Sequence, residues 1–451
     1  MKLKINISFA LVFVIFFIMV LGTIVCADTP KRILLIVMDG ARYDYCTPET
    51  MPNLYSFMER ALVFKNAYAP SSWTLPSHAS LFTGLYPQQH GAFRLPYQPT
   101  DDVAVDSKRR LEAPIDIDAI ALPRDAMTIA EILHAAGYQT LSVFGNPCYG
   151  YPIFNLPKGF DTWVNLVEKK LKATGIKERG FYSFDYEVDG NFYTVIPNAS
   201  EVAREVTTLL ETADPTRPIF LFINFEDPIA TPFYYPPQKR SEVFNNYSQY
   251  LKKSMKLIDD VIVPVLSMFK DGLIIVTSDH GQGDGTAYKG AVHGTSLYSS
   301  QTKIPLFIYN YMRKKLNPEA PIDLTRIMDI ILNAAGLDYP GKKQFFHPGD
   351  NLAFSHLDAS PESPVGTQAS FSIISEQALL LLTFRSGGFT KHYITQKAMG
   401  ENIDERFGIE QVLSRKIMPF VRLERVFPTT GKYQKLDENN LEMLKGLGYI
   451  E

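Results

Sequence analysis

Lys31-Arg32-Ile33-Leu34-Leu35-Ile36-Val37-Met38-Asp39-Gly40 is a continuous run of β-branched and apolar residues that stops at a carboxylate. A run of this length without polar alternation reads as a strand buried on both faces, the signature of a parallel sheet. Gly272-Leu273-Ile274-Ile275-Val276-Thr277-Ser278-Asp279-His280-Gly281 repeats the design, with a carboxylate followed at once by an imidazole. Parallel α/β sheets bind ligands outside the carboxyl ends of their strands, so Asp39 and Asp279 are both expected on the functional edge of one sheet.

Between these runs lies Ala69-Pro70-Ser71-Ser72-Trp73-Thr74-Leu75-Pro76-Ser77-His78-Ala79-Ser80-Leu81-Phe82-Thr83-Gly84. Pro76 suits a first helical turn, where its missing N–H removes a donor without an intrahelical partner, and Gly84 supplies a stop about two turns later. A helix start gathers free N–H groups and partial positive charge, so it receives an anionic ester well. The stretch therefore fits a hydroxyl nucleophile, Thr74, mounted on a helix start; it equally fits an ordinary capped helix. The Thr74 oxygen with Asp39, Asp279 and His280 makes a three-oxygen, one-nitrogen set suited to a divalent cation. Taken singly, each acid also reads as a strand-end turn or a loop cap, and it is their joint arrangement that points to a site.

With these pieces in order, the chain resembles the sulfatase group of the alkaline phosphatase superfamily. The matching residues are Asp39-Gly40 after the first strand, Thr74-Leu75-Pro76-Ser77-His78 where sulfatases carry Cys or Ser-x-Pro-x-Arg, and Ser278-Asp279-His280-Gly281. His293-Gly294-Thr295-Ser296-Leu297-Tyr298 leading into Lys303-Ile304-Pro305-Leu306-Phe307-Ile308 matches as well, and so does the ending Leu444-Lys445-Gly446-Leu447-Gly448-Tyr449-Ile450. The resemblance implies an α/β fold: a mostly parallel central sheet with helices on both faces, alkaline phosphatase-like, plus a small antiparallel C-terminal subdomain. It implies a metal-dependent hydrolase of sulfuric or phosphoric esters, with Asp39, Thr74, Asp279 and His280 as metal ligands. Thr74, His293 and His78 are the residues it marks for catalysis, His293 protonating the leaving group or binding an ester oxygen.

The chain departs from the family pattern at informative places. Sulfatases oxidise Cys or Ser to formylglycine, and Thr74 is no substrate for that conversion; threonine is the nucleophile in the family's phosphodiesterase and phosphoethanolamine-transferase relatives. His78 stands where Arg is usual. The loop Glu226-Asp227-Pro228-Ile229-Ala230-Thr231-Pro232-Phe233 holds Ile229 or Ala230 in the slot of a His. That loss weakens the case for a second metal, with Asp227 left to a site or to a loop cap. One divalent ion is expected: calcium by family habit, or manganese or zinc because His280 replaces the usual Asn. Besides the hydrolase, two classes stay open: a phosphoethanolamine-type transferase acting on a surface glycan or lipid, and a catalytically silent binding protein that kept the pocket.

The 451 residues, 46% hydrophobic and 12% aromatic, suffice for a large α/β core with an appendage. A net charge of −3 argues against a nucleic-acid partner, whose footprint would be basic. The one basic cluster, Lys169, Lys170, Lys172, Lys177 and Arg179, reads as a solvated helix face and loop. Residues 1–27 form a targeting element: Lys2 and Lys4, an apolar run from Ile7 to Val25, then Val25-Cys26-Ala27 for a signal peptidase. The protein is expected to be exported, periplasmic, extracellular or anchored facing outward, since the run approaches the length that spans a bilayer and serves equally as a membrane tether. Cys46 and Cys148 then either pair or remain separate buried thiols.

Residues 28–345 are read as the catalytic domain. Its expected elements are a helix over Met51–Arg60, a strand from Leu62, a loop over 95–120, a helix from Ala126 and a strand Gln139–Phe144. They continue with a helix Ser200–Thr212, a strand Pro218–Phe225, a long helix Ser241–Met268 that Pro264 should kink or divide, and a helix Ile322–Ala335. Residues 346–451 are read as the C-terminal subdomain, with strands at Phe371–Ile374 and Ala378–Phe384 and a terminal helix Glu438–Lys445. His90, His134, His347, His356 and His392 are read as structural.

Overall fold

The computed structural model describes residues 29–93, 121–147, 149–150, 152–174, 185–188, 191–283, 293–312, 315–339, 352–359, 368–375, 378–385 and 388–395. The targeting segment, the 95–120 loop, Cys148, Lys177, Arg179, His347 and the terminal helix lie outside them. The strands are β1 (Arg32–Met38), β2 (Leu62–Val63), β3 (Ala67–Tyr68), β4 (Gln139–Phe144), β5 (Thr162–Asn165), β6 (Asp185–Val188), β7 (Asn191–Thr194) and β8 (Ile219–Phe225). They continue as β9 (Leu273–Thr277), β10 (Lys303–Ile304), β11 (Leu306–Tyr309), β12 (Ile322–Asp323), β13 (Ala353–Ala359), β14 (Gln368–Ile374), β15 (Ala378–Arg385) and β16 (Gly388–Thr395).

The main sheet has the order β2-β11-β9-β1-β8-β4-β5. Its five-strand heart, β9-β1-β8-β4-β5, is parallel throughout, and β11 closes one side antiparallel to β9. The expected apolar runs thus become central strands covered on both faces, with Ile33 to Met38 of β1 and Phe220 to Phe225 of β8 all buried. Ile33, Leu35 and Val37 pack into one core, and Leu34, Ile36 and Met38 into the other. The first core takes the helices Thr74–Thr83, Ile129–Ala135 and Thr325–Ala334, and the second takes Pro52–Phe57, Ala199–Glu211 and Tyr247–Ser267. This is the expected α/β architecture with helices on both faces.

Local chemistry explains where the helices begin and end. Thr128 and Asn198 each cap a helix in a reciprocal box with Glu131 and Glu201. The Thr74–Thr83 helix ends at Gly84, whose φ of 68° lies in the left-handed region that a residue without Cβ enters freely. One expectation fails: the long helix before β9 breaks at Asn246, between Pro237–Asn245 and Tyr247–Ser267, and Pro264 sits undividing in the last turn. Only one turn follows the proline, so the bond it removes leaves little helix beyond it to divide. Residues 322–335 likewise open as β12 before the helix Thr325–Ala334, because Asp323 Oδ1 accepts from both Thr325 N–H and the Thr325 hydroxyl.

The antiparallel sheet β13-β14-β15-β16 supplies the expected C-terminal subdomain strands. Ser355 Oγ donates to Ala69 O at 2.6 Å, and Asp323 Oδ2 accepts from Phe354 N–H at 3.1 Å and from the Tyr86 hydroxyl at 2.8 Å. The second sheet is thereby pinned to the loop that delivers the Thr74 helix. Lys169, Lys170 and Lys172 pair with Glu205, Glu201 and Glu168, as expected of a solvated helix face. His90 is structural too, accepting from Ala92 N–H through Nδ1 and bonded to Ser80 Oγ through Nε2. Among the described residues no helix is long and apolar enough to cross a membrane.

Phe222 of β8 is fully buried and meets Phe82 edge to face at 4.9 Å, with His78, Phe144 and Trp163 around it. Phe222→Ala should cost about 3–5 kcal/mol of stability. Denaturant unfolding checks this, and a loss under about 1 kcal/mol would show that the aromatic cluster does not carry this face of the core.

Candidate metal and ester site

Register aligns four strand ends. Met38 pairs with Phe225 and Val37 with Thr277, while Phe144 pairs with Asn224. Carried past the strand ends, this sets Asp279, Asp39, Glu226 and Asn146 abreast, one each at the carboxyl ends of β9, β1, β8 and β4. All four side chains are buried. Neighbouring strands lie about 4.8 Å apart, and two ionised carboxylates at that spacing repel by about 3.5 kcal/mol at an effective dielectric of about 20. A buried row of three acids requires a cation or protons.

Each aspartate has one oxygen held and one bare. Asp279 Oδ1 accepts from Gly40 N–H at 3.1 Å and His280 N–H at 2.9 Å, and Asp39 Oδ2 accepts from Asn146 Nδ2 at 3.0 Å and Asn224 Nδ2 at 3.4 Å. Asp39 Oδ1 and Asp279 Oδ2 have no hydrogen-bond partner although both are buried. Gly40 is required for this approach: its φ is +69°, and a Cβ there would lie 2.5 Å from Gln282 Nε2. The bare oxygens face His280 Nε2, each at 3.5 Å. Because His280 Nδ1 lies 2.8 Å from Gly281 O, which only accepts, Nδ1 carries the proton and Nε2 presents a lone pair. Two bare carboxylate oxygens and an imidazole lone pair turned toward one another repel unless a cation or a proton sits among them.

The donor set therefore fits a divalent ion. Ligand atoms of Asp39, Asp279 and His280 lie within 4.8 Å of one another, and Thr74 Oγ1 lies 3.2 Å from His280 Nε2. Three oxygens and one nitrogen suit manganese or zinc better than calcium, which prefers oxygen throughout. Burial pushes the carboxyls of both Asp39 and Asp279 up to about 7, the neighbouring Asp279 adding to the rise at Asp39. Burial likewise raises Glu226 well above the carboxylate range, with Asp39 and Asp279 adding to it, and lowers His280.

The two remaining sequence candidates take different places. The His293 ring stacks on His280 at 4.7 Å with 22° between planes, its Nδ1 is buried without a partner, and burial lowers it to about 3. Gly294 N–H donates to Ser72 O at 2.8 Å, which ties the His293 loop to the loop ahead of Thr74. His78 faces the core instead: its Nδ1–H donates to the Thr74 carbonyl at 3.0 Å, and the ring sits edge to face against Phe82, Phe144 and Phe222. Its Nδ1 is also 3.4 Å from Asp279 Oδ2, and burial holds it neutral, lowered to about 3. The geometry places His78 beneath Thr74 and Asp279, on the core side of the site.

Asp227 turns away as well, its Oδ1 accepting from Ala199 N–H at the start of the helix Ala199–Glu211. Sequence reading missed Asn146, Asn224 and Glu226. A signal existed, since Glu226 follows its apolar run as Asp39 follows its own.

Comparison with known proteins agrees with this geometry. The family model "Sulfatase" matches residues 31–337. Arylsulfatase A of Bos taurus is 32% identical over 427 residues, covering 82% of this chain and 76% of that protein. A bis(5'-adenosyl)-triphosphatase of Homo sapiens is 24% identical over 265 residues, covering 56% of this chain; the chain spans 48% of that protein's length. Among solved structures, a protein in complex with its substrate D-glucosamine-2-N,6-O-disulfate superposes with a TM-score of 0.61 at 14% identity, covering 90% of this chain and 100% of that one. A phosphonate monoester hydrolase from Silicibacter pomeroyi gives 0.58 at 16% identity, covering 89% and 96%. Fold, motif order and family match converge: the chain belongs to the sulfatase family, within the alkaline phosphatase superfamily.

Proposed function

We propose that this protein is a metal-dependent hydrolase of sulfuric or phosphoric esters that attacks through Thr74. The observation that carries the reading is the pair of buried, bare oxygens on Asp39 and Asp279 turned toward the His280 lone pair, with the Thr74 hydroxyl beside it. Asp39, Asp279, His280 and Thr74 would hold one divalent cation. When bound, it would lower the pKa of the Thr74 hydroxyl and neutralise the ester oxygens.

The chain's own groups supply the rest. Thr74 stands at the first position of its helix, so the free N–H groups of that turn face an incoming anionic ester. Thr74 Oγ1 attacks sulfur or phosphorus, forming a new O–S or O–P bond as the bond to the leaving oxygen breaks. The proton given up by Thr74 is balanced by the one the leaving oxygen takes as it departs as an alcohol, and water later splits the ester on Thr74, restoring the hydroxyl and releasing the sulfate or phosphate group. His293, held neutral by burial, donates a ring N–H hydrogen bond to an ester or leaving-group oxygen. His78 keeps the Thr74 carbonyl in place from the core side. Threonine in the nucleophile position favours phosphorus esters over sulfate, because the formylglycine route needs Cys or Ser. The substrate is read as an ester outside the cytoplasm, on a glycan or lipid, with residues 1–27 as signal or tether.

Thr74→Ala should lower kcat on bis(p-nitrophenyl) phosphate, p-nitrophenyl phosphate or p-nitrophenyl sulfate, whichever is turned over, by about 10⁴-fold or more, and Thr74→Ser by about 10-fold or less. Wild-type turnover in Thr74→Ala would remove the threonine from the mechanism. A transferase would show itself by turning over only when an acceptor alcohol is added.

The pH behaviour follows from the raised carboxyls. Asp39 and Asp279 take up protons near pH 7 in the folded chain and near 3.8 as free carboxyls, so folding is favoured below about pH 4 and that contribution is lost as pH rises through about 7. The buried neutral rings of His78, His90 and His293 push the other way, favouring folding above about pH 6.5 in any variant that keeps them. Between pH 5 and pH 8 the melting temperature of chelator-treated wild type should therefore fall relative to that of chelator-treated Asp39→Asn, and Mn2+ should raise the wild type at pH 8. The same change from pH 5 to pH 8 in both proteins would contradict the assignment.

A further inference from the structure

Asn146 occupies the outer end of the row of strand ends, and its amide does three things at once. Nδ2 carries two protons; it donates to Asp39 Oδ2 at 3.0 Å and to Glu226 Oε1 at 3.2 Å, bridging two buried acids on adjacent strands. Its own Oδ1 accepts from Tyr149 N–H at 3.1 Å. The Tyr149 ring meets the ring of Trp73 at 6.2 Å, and Trp73 immediately precedes Thr74. One buried side chain therefore grips the carboxylate of β1, the acid of β8 and the wall beside the nucleophile.

We propose that Asn146 is a positioning residue for the metal centre: by fixing Asp39 Oδ2 and bridging it to Glu226, it turns Asp39 Oδ1 toward His280 and Thr74 as a ligand. The proposal rests on the reading of Asp39, Asp279, His280 and Thr74 as a cation site and deepens it. A carboxylate has two equivalent oxygens and rotates about its Cβ–Cγ bond, so a ligand with one oxygen clamped is preorganised while an unclamped one is not. Asn224 also reaches Asp39 Oδ2, at 3.4 Å, the longer of the two contacts. Through the same Nδ2, Asn146 also holds Glu226 Oε1.

The test is Mn2+ binding to full-length, chelator-stripped protein, followed by the electron paramagnetic resonance signal of free Mn2+, together with the melting temperature of the stripped protein. Asn146→Ala removes the donor, and Asn146→Leu removes it while keeping the volume, so that at least one variant folds with the donor gone. Both should bind Mn2+ about 10- to 100-fold more weakly than wild type. Glu226→Gln placed in the Asn146→Ala background restores an amide donor next to Asp39 and should recover part of that loss, a result that a merely structural role would not give. Mn2+ affinity within twofold of wild type in both single variants, whatever their melting temperatures, overturns the proposal while leaving the cation site intact. A wild type that binds no Mn2+, Ca2+ or Zn2+ overturns the cation site and this inference together.

Discussion

The structure depends on burying like charges side by side. Parallel register brings Asp279, Asp39 and Glu226 to the ends of three adjacent strands, and the helices over both faces exclude the water that would otherwise screen them. Such an arrangement persists because its hydrogen bonds are partitioned. Gly40 and His280 backbone N–H groups hold one oxygen of Asp279, Asn146 and Asn224 hold one oxygen of Asp39, and the other oxygens are left bare toward His280. Burying an unpartnered acid is costly, and here the cost is concentrated at a point where a cation would offset it.

Several remote features serve that point. Ser355 of the antiparallel sheet and Thr302 both bond the backbone of Ala69, at the base of the loop that carries Thr74. Gly294 bonds Ser72 within the same loop and so fixes where His293 stacks. The C-terminal sheet thus braces the loop that leads to Thr74, with Asp323 as the anchor shared by Tyr86, Thr325 and Phe354. Below Thr74, the neutral ring of His78 fills an aromatic wall where a charged side chain would be poorly solvated.

Much of this was legible in the residues. β1 and β9 announce themselves because central parallel strands need apolar side chains on both faces, and the aspartates mark their ends because polar residues return where the sheet stops. Pro76 and Gly84 bracket the Thr74 helix for reasons local to the chain. What stayed hidden depends on partners far away in sequence. Asn146 after β4 looks like an ordinary turn residue until register sets it near Asp39, whereas Glu226 closes its apolar run as Asp39 does and needs register only to show its partners. His78 lies four residues after Thr74, so a helix brings it near that hydroxyl, but only tertiary packing decides that its ring points into the core. The helix breaks at Asn246, while Pro264 has only one turn after it to divide.

The most direct measurement is anomalous scattering at the manganese edge from crystals of the full-length protein grown with Mn2+. The account predicts one strong peak within bonding distance of Asp39 Oδ1, Asp279 Oδ2 and His280 Nε2, beside the Thr74 hydroxyl. A map with no peak there, or with manganese bound only at surface acids, would contradict it.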